Sequence, residues 1–292
     1  PGTGTDFLAP RAGLLTLVKP ARAARDEHPP LSPTQRPVMH APGGTRDFFL
    51  AQHQAFDQTL RQHCQRGDLV RALLSQAFSS FEGNVAVQSE GQPPIDCSRG
   101  CCSCCMLRVS ATAPEILLIA WYLRQLRQAR PELGAALEQA LRQADSITRG
   151  MSEAKRAGLR RLCPFIHQGA CAIYPVRPLA CRGLACHART QCAAASLGRA
   201  GSIPYSEPHR LVRSLVQNAL QCALRDHGLQ WGSYELNHAL VLALGDEQAE
   251  SAWQNGADPI AEAAVHDIPD DEMAQVFDQL LQRAPPTPSR PN

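Results

Sequence analysis

CSRGCCSCCMLRVSATAPEILLIAWYLRQL, residues 97–126, carries five cysteines in its first nine positions and then becomes an apolar stretch with helical spacing. The two halves meet at Thr112-Ala-Pro-Glu115. A hydroxyl and a carboxylate three residues apart can satisfy the first helix amides reciprocally, and proline fits a first turn, so this is a capping-box pattern. A thiol is costly to keep unless it is buried, bonded to a partner or holding a metal. The stretch therefore predicts a cysteine loop running straight into a capped helix, and the fold class depends on whether the flanking chain is helical too.

It is, by periodicity. RDFFLAQHQAFDQTLRQHC sets Phe49, His53, Phe56 and Leu60 on one face. Asp68 is a candidate cap for a second helix carrying Leu69, Leu73, Ala77 and Phe81. PELGAALEQALRQADSI aligns Leu133, Leu137, Leu141 and Ala144, with Gly150 as its stop. Ser206 can cap a long helix through Leu211, Leu215, Ala219, Cys222 and Arg225, ended by Gly228. SYELNHALVLAL and DDEMAQVFDQLLQR read as two further helices, and NVAVQ alone reads as a strand. The predicted fold is all-α: an irregular helical domain interrupted by two cysteine-rich loops, 96–108 and 162–193, that must meet in space.

The helical pattern bounds the domain at 45–284. Residues 1–44 are rich in Pro, Ala and Arg, with one short apolar patch, LLTLV, and are expected to be disordered or untranslated, Met39 being the first methionine. The tail 285–292, PPTPSRPN, is expected to be disordered. Across 292 residues, 44% hydrophobic, the formal net charge is only +2. That balance gives no indication of nucleic acid as a partner. No apolar run approaches the ~20 residues of a membrane span. Twelve cysteines fall well short of the density of secreted disulfide scaffolds. The expected compartment is the cytoplasm, where clustered loop cysteines point to metal or redox chemistry.

The first cysteine group is Cys97-x3-Cys101-x2-Cys104-Cys105, with Cys102 as an extra; the second contains Cys163, Cys171, Cys181, Cys186 and Cys192. Cys64 and Cys222 lie outside both, on the apolar side of predicted helices, where a small buried residue is expected. Short C-x2–4-C spacings let one loop present two thiolates to an ion, and zinc takes four in a tetrahedron, so one loop supplies part of a site and the other completes it. The spacing matches neither common ferredoxin pattern, although iron–sulfur clusters accept others.

C-x3-C-x2-C-C followed by CPFI, CAIY, RPLACR and a later cysteine resembles the cysteine-cluster family of zinc- or iron-chelating domains, with which flagellin lysine N-methylases are grouped. The resemblance runs from about Cys97 to Cys192 and extends through IPYSEPH and YELNHAL; IYPVRPLACR is its most specific element. It implies Cys97, Cys101, Cys104, Cys105, Cys163, Cys171, Cys181 and Cys192 as ligands to zinc or iron, in two four-ligand sites or one multinuclear cluster. Cys102 and Cys186 depart from the pattern and are possible additional ligands, as is His187. Arg177 and Arg182 belong to the motif and are expected to offset thiolate charge and donate to sulfur. Tyr174 and Pro178 are expected to shape the turn.

The expected function is metal binding through these thiolates, the metal mainly stabilising the fold. The alternatives are an iron–sulfur or iron-dependent oxidoreductase, a protein-lysine N-methylase, and a metal-delivery or adaptor protein. A methyl-donor pocket usually rests on an α/β sheet with a Gly-rich turn, and neither that turn nor a P-loop is present in the sequence. Glu235 and His238 form an E-x-x-H pair without the second pair of a di-iron bundle, so a hydrogen-bonding role is expected. Glu115 is read as the capping-box acid, and Asp96 as a residue that orients the first loop or turns it.

Overall fold

The capping box forms as the sequence predicts: Glu115 Oε2 accepts from both Thr112 N–H and Thr112 Oγ1. It opens helix α3 (Ala113–Ala129), whose residues Ile116 to Ala120 are all buried. The structure is a computed structural model and describes residues 44–98, 100–199 and 202–282. The expectations for the first 43 residues and for the tail lie outside it.

Two long helices precede the first cysteine segment, α1 (Gly44–His63) and α2 (Leu69–Gln88). α3 follows β1 (Ser110–Thr112), then come α4 (Pro131–Thr148) and α5 (Glu153–Leu159). The second cysteine segment contains a hairpin, β2 (Ile166–His167) with β3 (Ala170–Cys171), then α6 (Leu179–Arg182) and α7 (Arg189–Ser196). α8 (Glu207–Asp226), β4 (Ser233–Glu235), α9 (Leu236–Gly245), α10 (Ala249–Gln254), β5 (Ala264–Val265) and α11 (Asp270–Leu281) complete the chain. The fold is mostly helical, with small sheets only. No helix among the described residues is long and apolar enough to cross a membrane.

α8 is the axis of the core. Val212, Val216, Ala219, Leu220, Ala223 and Leu224 are buried along it, and α1, α2, α6 and α11 pack against it. Phe49, Phe56 and Leu60 of α1 bury the face that the sequence predicts, and so do Leu69, Leu73, Ala77 and Phe81 of α2. Truncating a buried phenylalanine of this kind to alanine costs about 3–5 kcal/mol. β1 pairs antiparallel with β4 (Ala111↔Tyr234), and β4 with β5 (Tyr234↔Ala264), which pins the exit of the first cysteine segment to the strand before α9.

Several local expectations are corrected. NVAVQ is the last turn of α2, not a strand: Val85 continues the buried stripe, and packing overrides the β-preference of valine. SYE is a strand, not the first turn of a helix, because it is captured between β1 and β5. The helix then starts at Leu236, with Glu235 as its N-cap accepting from His238 N–H at 2.8 Å. Cys64 is exposed just beyond α1, where Gln65 adopts a left-handed φ of 56° and ends the helix. Asp68 and Ser206 occupy N-cap positions, but neither side chain caps its helix amides. Asp68 bonds His63 Nδ1 at 3.0 Å and Ser206 bonds His209 Nδ1 at 2.7 Å. The second cysteine segment is not a plain loop but a hairpin and two short helices.

Candidate metal centre

The two cysteine segments are joined by hydrogen bonds at both ends. At one seam Cys163 N–H donates to Cys105 C=O at 2.7 Å. At the other, Asp96 N–H donates to Cys186 C=O at 2.9 Å, and Cys186 N–H donates to Cys97 Sγ at 3.3 Å. Asp96 Oδ2 also accepts Arg189 N–H at 2.9 Å, so this carboxylate holds the first turn of α7 from the opposite segment. A third tie lies beneath them: Glu115 Oε1 accepts Leu179 N–H at 2.7 Å, at the start of the helix that carries Cys181.

Between the seams lies a cavity of about 850 Å³. Cys97, Cys101, Cys104 and Cys105 line it from the first segment, and Cys163, Cys171 and Cys181 from the second. Cys186 and Cys192 are buried and Cys102 is half-buried, and none of the three lines it. The thiols form two neighbourhoods. Cys181 feels Cys163, Cys171 and Cys104, whereas Cys192 feels Cys186, Cys101 and Cys97, with Cys104 between the two groups. No disulfide forms among the described residues.

Burial governs the thiols. It pushes Cys163 up to about 12 and raises Cys97, Cys171, Cys181, Cys186 and Cys192. Cys104 is raised first by its hydrogen bond with the Cys105 thiol and then by burial. A bound cation would take the place of those protons, because thiolate is the ligand form.

Arg177 sits beside this set. Its positive charge favours the thiolates of Cys104, Cys171 and Cys181, its guanidinium lies 4.0 Å over the Tyr174 ring, and its Nε is buried without a hydrogen-bond partner. Arg182 also lines the cavity, but its donors go to Glu82 at 2.7 Å, Pro175 C=O at 2.8 Å and Arg177 C=O at 3.0 Å. It fastens the turn that presents Cys181. Gly183, next in sequence, admits α8, since a Cβ there would meet Arg213 Cγ at 2.7 Å. His187 lines the cavity with Nδ1 3.2 Å from Pro94 C=O; if Nδ1 carries the proton, Nε2 is the open acceptor.

The cavity also holds an imidazole that the cysteine pattern does not point to. His209 faces the cavity from the first turn of α8, edge-on to Phe81, and burial disfavours its protonation. Only its place in IPYSEPH could have drawn attention to it. Glu235 and His238 do not form a paired site: Glu235 caps α9 and lies 3.8 Å from Arg156, and His238 Nδ1 lies 3.3 Å from the buried Asp145.

The spacing of the sulfurs limits what the cavity fits. Tetrahedral zinc with Zn–S near 2.3 Å needs sulfurs about 3.8 Å apart. Among the described residues, no three cysteine sulfurs lie within 4.8 Å of one another. A polynuclear cluster spreads its thiolates further, because each binds a different iron. No protein-family model, curated protein or solved structure matches this chain.

Proposed function

We propose that this is a metal-binding protein whose two cysteine segments hold an iron–sulfur-type centre on thiolates, Cys104, Cys163, Cys171 and Cys181 being its ligands. The observation that carries the proposal is the cavity: seven thiols from both segments line one space, yet they stand too far apart for a single tetrahedral ion. Arg177 supplies the positive charge that a thiolate-rich centre needs beside it. When bound, such a centre supplies either a structural crosslink or electron transfer.

The crosslink is the primary role in this reading. β2 and β3 have two residues each, α6 has four and α7 has eight. Elements this short cannot hold themselves in water. A centre bound by both segments would close them over α8, and its removal would loosen them.

Anaerobic purification followed by iron, zinc and acid-labile sulfide analysis tests the proposal. Iron and sulfide in comparable amounts, with a broad visible absorption, are expected. A colourless protein holding zinc on four sulfurs would overturn the iron–sulfur assignment, and a protein that takes up no metal would overturn the function. The resemblance to zinc- or iron-chelating cysteine-cluster proteins supports metal binding and leaves the ion open, so elemental analysis decides it.

A further inference from the structure

Away from the cysteine segments, His53 of α1 faces Cys222 and Asp226 of α8, and their Nε2/Nδ1, Sγ and carboxylate atoms all lie within 4.8 Å of one another. We propose that these three residues form a second, mononuclear site for a divalent transition metal, best suited to zinc, with solvent as the fourth ligand. The inference does not rest on the iron–sulfur reading. At 1.5 Å per residue along α8, Cys222 and Asp226 are about 20–25 Å from His209 and the cavity.

The donor set is the first argument. One imidazole, one thiolate and one carboxylate is a borderline nitrogen–sulfur–oxygen set of the kind zinc accepts, and three protein ligands leave one position for water. Charge is the second. A thiolate and a carboxylate together neutralise a divalent ion, and the imidazole binds as the neutral base, so the site would hold no net charge, with Cys222 buried and Asp226 at the exposed edge. Cys222 is fully buried, while the His53 and Asp226 side chains are 14% and 17% exposed, which opens the fourth position to water.

Geometry is the third argument. Cys222 and Asp226 are four apart on one helix and therefore share a face, opposite His53. The His53 ring stacks on Phe49 at 6.4 Å and 15°. Asp226 turns Oδ1 towards Arg225 at 3.6 Å and Oδ2 towards His53 Nε2 at 2.9 Å. Tetrahedral zinc needs that nitrogen and oxygen about 3.3 Å apart, an opening of a few tenths of an ångström. The ion would take the place of the Cys222 thiol proton, which leaves to solvent, and of the hydrogen bond between His53 and Asp226, the neutral imidazole keeping its one proton on Nδ1. Bound there, it would pin α1 to α8.

Zinc titration of the purified full-length chain against a competing chelator tests this. His53→Gln keeps a polar group against Asp226 without the imidazole, and Asp226→Asn removes the anionic ligand. Each is expected to lose one zinc equivalent, or to weaken it by more than about 100-fold, while iron and sulfide content stay unchanged. Cys181→Ser is expected to retain that equivalent. Cobalt bound at the site should show one sulfur-to-metal charge-transfer band that disappears in Cys222→Ser. Unchanged zinc binding in both His53→Gln and Asp226→Asn would overturn the site, and so would loss of the same equivalent in Cys181→Ser. Failure of the iron–sulfur proposal would instead appear as absent sulfide in the wild type, with this titration unaffected.

Discussion

Glu115 Oε1 accepts Leu179 N–H at 2.7 Å while Oε2 of the same carboxylate caps α3 through Thr112. One side chain, 1% exposed, thus fixes both the helix after the first cysteine segment and the short helix inside the second. Glu115→Ala removes a helix cap worth about 1 kcal/mol and strands a buried N–H at about 1–3 kcal/mol. A loss of about 2–4 kcal/mol in urea denaturation is expected, with reduced metal content because α6 carries Cys181. Glu115→Gln keeps an acceptor and should lose less. Equal stability of the alanine variant and the wild type would show that the bridge contributes nothing.

Cys181 and Cys102 make a matched pair. Cys181 lines the cavity in the midst of Cys104, Cys163 and Cys171; Cys102 is half-buried and outside it. Cys181→Ser is expected to lose metal and to lower the melting temperature of the metal-loaded protein to that of the chelator-treated wild type. Cys102→Ser should retain both metal and melting temperature. Elemental analysis with thermal denaturation of the two variants checks this, and equal metal content in both would remove Cys181 from the ligand set.

Arg182 is 6% exposed, lies 3.8 Å over the Phe78 ring and donates to Pro175 and Arg177 carbonyls and to Glu82. Lysine cannot reproduce that planar fork. Arg182→Lys is expected to destabilise by about 2–4 kcal/mol, since two carbonyls lose their donors. Glu82→Gln, at the exposed end of the pair, should cost under about 1 kcal/mol. Chemical denaturation of the two variants measures the difference.

Two carboxyls set an acid limit. Asp57 is held below its usual range first by its hydrogen bond from His227 and then by Arg61; Asp68 is held low first by His63. A depressed folded pKa contributes stability that is present above the unfolded value near ~3.9 and lost as pH falls through the folded one. Urea midpoints should therefore fall as pH drops below about 4. Asp57→Asn should flatten part of that fall. Glu235 has the opposite sign, because burial raises it: its ionisation opposes folding as pH rises past the unfolded value. A midpoint independent of pH below 4 would contradict this account of the two aspartates.

Some of this architecture was legible in residue order. The capping box, the α1 and α2 core faces, the α8 stripe with buried Cys222 and the glycine at the end of α8 all follow from periods and spacings within one helix length. NVAVQ and SYE were not legible, because a five-residue segment with two valines or a three-residue strand takes its state from what packs or pairs against it. The same limit applies to the sites. Sequence alone singled out the cysteine groups, since C-x3-C-x2-C-C is a local pattern. Tertiary structure decided which thiols face one cavity, that Asp96 and Glu115 each hold the opposite cysteine segment, and that His53 meets Cys222 and Asp226 across 169 and 173 positions. Spacing determines which atoms share a face of one element; only packing determines which faces meet.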